Sequence, residues 1–178
     1  STYNKTKMVA ERVFLSYKNQ IKIHCIRPAT VCGWSKRMRL DVSVNMLTFK
    51  ALKNKKITVF GGNQVRPNIH IVDLIEVYKH FLKNPDLESG PYNAGFENIS
   101  ILDLAQIINK KIDCEIIVSK SNDPRSYRQN SDKLLQTGFS PSLSVDHAIN
   151  DIKEKFETGE LVDYEKWHTV EWMKKIKL

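Results

Sequence analysis

A run of alternating apolar and polar residues, Ile21-Lys22-Ile23-His24-Cys25-Ile26, lies between a helix-period segment and a proline. Alternation over this length reads as a strand. Pro28 ends it, because proline has no N–H to offer a sheet ladder. The residues after Pro28 then form a loop at the strand's C-terminal end, which is where open parallel sheets bind ligands. Short strands are also expected over 56–60 and 68–72, and over 115–119, which is rich in β-branched residues. Helices are expected over 5–19, 41–54 and 74–82, from Ser100, over 131–137 and from Ser144. Short connections between mixed elements place the chain in the α/β class.

The boundaries carry their own chemistry. Asp73 is expected as an N-cap or first-turn acid. Ser100 to Asp103 is close to a capping box, and Gly138 is expected as a C-cap. Met8, Val9, Ala10, Val13, Phe14, Leu15 and Tyr17 cover more than one stripe of the first helix. That helix is therefore expected to bury two faces, one against a sheet and one against a partner helix. The tail from Gly159 has a mixed pattern with helix expected after Val162.

The 178 residues carry a net charge of +8, which favours anionic partners. The basic residues are scattered rather than gathered in one arm, and no nucleic-acid-binding motif is visible, so a phosphorylated small molecule fits better than nucleic acid. No apolar run approaches the ~20 residues of a membrane-spanning helix. Cys25, Cys32 and Cys114 are odd in number and lack C-x-x-C spacing, which points to reduced thiols and a cytoplasmic location. The five histidines show no metal-ligand spacing, so no metal site is expected.

Tyr3 and Lys7 stand four residues apart at the head of the first helix, on one face. An ammonium beside a phenol favours the ionised phenol, which is a proton acceptor. The alternative on spacing alone is a surface tyrosine and lysine near a helix N-terminus.

Further segments follow in order: Arg27-Pro28-Ala29-Thr30-Val31-Cys32-Gly33, Val59 to Arg66 with its Gly61-Gly62 turn, Ile69 to Asp73, Tyr92-Asn93-Ala94-Gly95, and Asp123-Pro124-Arg125-Ser126-Tyr127-Arg128. Together with Tyr3–Lys7 this order resembles the C-terminal part of the extended short-chain dehydrogenase/reductases, the NAD-dependent nucleotide-sugar epimerases and dehydratases. The resemblance runs from residue 1 to about residue 155. Neither G-x-x-G-x-x-G nor G-x-G-x-x-G occurs, so the Gly-rich half of the family is expected to be missing, and with it the third catalytic group.

The resemblance implies the C-terminal portion of a Rossmann-type parallel sheet plus a small α/β substrate-binding lobe. Residues 1–33 would close the NAD-binding domain. Residues 34–178 would form the sugar-nucleotide lobe, with 68–84 packing back on the first part. Tyr3 would be the general base at the sugar 4-hydroxyl, and Lys7 would hold the nicotinamide ribose. Pro28, Ala29, Thr30 and Val31 would lie against the cofactor, NAD or alternatively NADP. Asn45, Arg66, Arg125 and Arg128 would bind substrate, and Arg37 and Arg39 could meet phosphate. Asn93 would serve a turn or a pocket wall. The helix over 5–19 would form a homodimer interface. Two other readings remain: a truncated relative that binds a nucleotide sugar or partner chain without catalysis, and a basic nucleic-acid-binding domain.

Overall fold

The computed structural model describes residues 2–121 and 125–176. Helix α1 (Thr2–Ser16) leads to strands β1 (His24–Pro28) and β2 (Thr30–Cys32). Then come α2 (Ser43–Asn54), β3 (Lys56–Phe60), β4 (Val65–His70) and α3 (Ile71–Lys83). Next are β5 (Gly90–Ala94), β6 (Glu97–Ser100), α4 (Ile101–Lys111) and β7 (Glu115–Ser119). The chain ends with α5 (Asp132–Leu135), α6 (Val145–Glu157), a 3₁₀ turn at Glu165–Trp167 and α7 (Thr169–Lys175).

The described strands pair in three small groups. β1 runs parallel to β5, with His24 opposite Gly90 and Pro28 opposite Ala94. β3 runs parallel to β7. β4 lies between β2, which is parallel to it, and β6, which is antiparallel. This is a mixed α/β fold with parallel sheets, as the sequence pattern indicates.

Two apolar clusters hold these layers together. The larger joins α2, α4 and α6 over β3, through Leu47, Leu52, Ile57, Leu104, Ile108, Ile149 and Ile152. The tail closes it, because Trp167 is 2% exposed and its carbonyl accepts from Leu40 N at 2.8 Å. The smaller cluster sets Val77 and Phe81 of α3 against Tyr92 and Ala94 of β5, with Ile26 and Val31 at its margin.

Several boundaries differ from expectation, each for a local reason. β1 begins at His24 because its partner begins at Gly90, and Ile21 stays outside, 60% exposed. The residues after Pro28 form strand β2 rather than a loop, since β4 offers a parallel edge to Thr30–Cys32. β4 starts at Val65 and stops at His70, not Val72. Pro67 is tolerated because pairing with β2 starts only at Asn68. His70, not Asp73, caps α3: its Nδ1 accepts from Val72 N at 3.2 Å. The proton then sits on Nε2, which donates to Asp151 Oδ2 at 3.0 Å. Asp73 is the first-turn acid, and its buried carboxylate accepts from Ser142 N, Ser142 Oγ and Leu143 N at 2.9–3.0 Å. β5 carries Gly, Pro and Asn, poor strand formers that packing overrides.

Helix α1 departs most from expectation. It runs from residue 2 to 16, and no residue in it is buried. Met8, Val9, Val13 and Phe14 are exposed while Glu11 and Leu15 are half-buried, so the described residues cover only part of one expected face. A bidentate ion pair ties it to β1: Arg27 Nε donates to Glu11 Oε2 at 2.8 Å and Nη2 to Oε1 at 2.5 Å.

Candidate functional site

A cleft of about 900 Å³ opens at the C-terminal ends of β1 and β5. Four stretches of the chain supply most of its wall, joined by Pro67, Ile71 and Asn93. The head of α1 contributes Tyr3 and Asn4. The β1–β2 segment contributes Pro28, Ala29, Thr30 and Val31. The following loop and the start of α2 bring Arg37, Arg39 and Asn45, and the strap before α5 brings Tyr127, Arg128, Gln129 and Asn130. No aspartate or glutamate lines this cleft among the described residues. Such a surface attracts an anion.

Tyr3 is 67% exposed at the cleft mouth. Lys7 is not a lining residue, but its Nζ lies 5.6 Å from the Tyr3 ring centre. One helical turn thus brings the ammonium beside the phenol, as the i, i+4 spacing requires. Glu11 continues the same face, and its Arg27 partner holds the helix against β1. The Arg27 hydrogen bond keeps the Glu11 carboxyl below its ordinary range.

Asn45 is buried at 2% exposure and fastens the first loop. Its Oδ1 accepts from Gly33 N at 3.1 Å and its Nδ2 donates to Arg39 O at 2.9 Å. Arg39 pairs with Asp41 through two contacts of 2.8 and 3.0 Å. Gly33 adopts φ +101°, and a Cβ there would stand 2.9 Å from His70 Nε2, so the loop needs glycine at this turn.

Arg66 and Arg125 lie outside the cleft lining. Arg66 Nη1 donates to the carbonyls of Arg125 at 2.5 Å and Val65 at 3.0 Å. Its guanidinium sits 5.1 Å from the Tyr127 ring, so it backs a residue that does line the cleft. Of the two arginines expected in that motif, Arg128 reaches the cleft. Asp123 and Pro124 of the motif lie outside the described residues. Asn93 sits in β5 as a cleft wall, with Nδ2 donating to Asn130 O at 2.9 Å.

Tyr127, Gln129, Asn130, Ser35, Met38 and Val42 are lining residues that the sequence did not reveal. They sit in irregular segments, where no periodicity marks which side chain faces inward.

Comparison with known proteins accords with this geometry. Residues 1–95, more than half the chain, match the NAD dependent epimerase/dehydratase family. The chain belongs to that family. Solved structures with the same fold include UDP-glucuronic acid 4-epimerase from Bacillus cereus, in complex with UDP-glucuronic acid and NAD. It is 26% identical, with a TM-score of 0.72 over 89% of this chain and 53% of that one. ADP-L-glycero-D-manno-heptose-6-epimerase from Helicobacter pylori is 20% identical, with a TM-score of 0.75 over 88% of this chain and 51% of that one. RMD from Pseudomonas aeruginosa, complexed with NADPH, is 16% identical, with a TM-score of 0.75 over 88% and 56%. The chain spans about half the length of these structures.

Proposed function

We propose that this chain carries the proton-transfer pair and the sugar-nucleotide cleft of an NAD-dependent epimerase or dehydratase acting through a 4-keto sugar. The observation that supports this reading is convergence: Tyr3, Pro28–Val31 and Arg128 line one cleft, with Lys7 beside Tyr3.

The residues fit the nicotinamide end of a dinucleotide. Thr30 and Ala29 give a small-residue wall next to the tyrosine, and Lys7 stands within one helical turn of it. The pyrophosphate end has no counterpart in this sequence, which lacks a Gly-rich strand–turn–helix. When bound, the cofactor supplies a two-electron acceptor for the hydride leaving the sugar carbon.

The chain's own side chains handle the proton and the orientation. Tyr3 Oη takes the proton from the sugar 4-hydroxyl as the carbonyl forms. Lys7, one helical turn away, sets a positive charge beside the Tyr3 ring. Arg128 faces the diphosphate, where its planar, permanently charged fork suits phosphate oxygens. Asn45 keeps the Gly33–Arg39 loop in place while it lines the cleft. Arg66 supports the Tyr127 side of the strap.

A second reading, binding without catalysis, draws on the same cleft, whose described lining includes Arg37, Arg39 and Arg128. Tyr3→Phe in the complete enzyme separates the two. It is expected to abolish turnover while calorimetric affinity for the sugar nucleotide stays within about twofold. Normal turnover with a large loss of affinity would refute the base assignment.

A further inference from the structure

Two loops wall the cleft, and an asparagine from a regular element fastens each. Asn45 of α2 holds the first. Asn98 of β6 holds the second: its Nδ2 donates to Gln129 O at 3.1 Å, and its Oδ1 accepts from Gln129 N at 2.8 Å. One carboxamide thus satisfies both backbone groups of a strap residue, as a neighbouring strand would. Asn98 does not line the cleft, whereas Tyr127, Arg128, Gln129 and Asn130 do. Gln129 is the residue next to Arg128, so the clasp acts one peptide away from the strap's cleft-lining cation.

The rest of the strap is tied on the same side. Gln129 Nε2 donates to Arg27 O at 2.9 Å, and Ser131 Oγ bridges Gly95 N and Gly95 O at 3.0 and 2.8 Å. Gly95 leaves no slack: a Cβ there would stand 2.5 Å from Ala29 Cβ as well as 2.3 Å from Gln129 Oε1. A segment ordered before its ligand arrives avoids the affinity lost when binding must order it.

We infer that Asn98 is a positioning residue, which sets Arg128 for a nucleoside diphosphate by holding Gln129. The inference rests on reading the cleft as a sugar-nucleotide site. Asn98→Asp tests it, because the change keeps volume and acceptor but turns an oxygen toward the Gln129 carbonyl. Asn98→Ala, which removes both bonds, is the second variant.

The chain is titrated calorimetrically with UDP, dTDP, GDP and ADP, and the tightest binder is carried into the variants. Asn98→Asp and Arg128→Ala are each expected to weaken it about tenfold, the loss of one charged hydrogen bond. The double variant is expected to be no weaker than Arg128→Ala, since both changes remove one contact. Unchanged affinity in Asn98→Asp, or losses that multiply to about a hundredfold, would overturn the inference. Hydrogen exchange supplies the second readout: amides of 127–131 exchange faster in both Asn98 variants while α6 keeps its protection. Unchanged exchange in the strap would also overturn it. A wild-type chain that binds none of the four nucleotides, with strap exchange still responding, would instead overturn the sugar-nucleotide reading and the ligand named here.

Discussion

Removing the Glu11 carboxylate loosens the helix that carries Tyr3. α1 has 15 residues and none is buried, so side-chain ties weigh heavily in its docking. A helix of this length alone is marginal in water. The Glu11–Arg27 pair is bidentate, at 2.8 and 2.5 Å, and its side chains are 20% and 50% exposed. Exposed pairs contribute about 0.2–1 kcal/mol after solvent screening, and this geometry belongs at the upper end, about 1 kcal/mol.

Glu11→Gln is therefore expected to raise the local opening of α1 about fivefold, read as faster amide exchange over residues 6–16. The pH dependence has a definite sign. The Arg27 hydrogen bond lowers the folded-state pKa of Glu11. Its contribution is full above the unfolded carboxylate value, roughly 4.3, and is lost as pH falls through the lower folded value. Raised salt weakens the tie, and the swap Glu11→Arg with Arg27→Glu is expected to restore part of the protection. Unchanged α1 exchange in Glu11→Gln, at low salt and neutral pH, would refute the tether.

Three further outcomes follow from burial. Asp73→Ala strands three donors that face a carboxylate at 1% exposure, so urea unfolding should show a loss of about 3–5 kcal/mol; a loss under about 1 kcal/mol would contradict the network. Cys32 is buried, and desolvation pushes its thiol up to about 12. It should resist a thiol reagent at neutral pH until urea unfolds the chain, and prompt native labelling would disprove the packing. Trp167→Ala should destabilise the chain by about 3–5 kcal/mol, because the ring closes the larger cluster. A neutral effect on the urea midpoint would mean that the tail is not part of the core.

Much of the fold was legible because its elements carry strong local signals. Lys56–Phe60 and Glu115–Ser119 are strands at their expected bounds. Ser100 caps α4, accepting from Asp103 N at 3.1 Å, and Gly138 takes a φ of +87°. β2 was hidden because three residues hold no period. β5 was hidden because Gly90, Pro91 and Asn93 argue against a strand until Tyr92 and Ala94 find a core. The faces of α1 stay largely exposed within this chain, since periodicity reports an apolar face, not what covers it.

The site divides along the same line. The proximity of Tyr3 and Lys7 was legible in the sequence, since helical geometry alone sets a four-residue pair on one face. Pro28 to Val31 were nearly so, because a strand's end in a parallel sheet is a fixed place. The tertiary fold decided the rest. It turned Asn45 into a loop fastener, placed Arg66 behind Tyr127 and brought Arg128 to the cleft. The direction of an irregular segment depends on contacts with residues far along the chain, such as Asn98 with Gln129, and no local pattern encodes those.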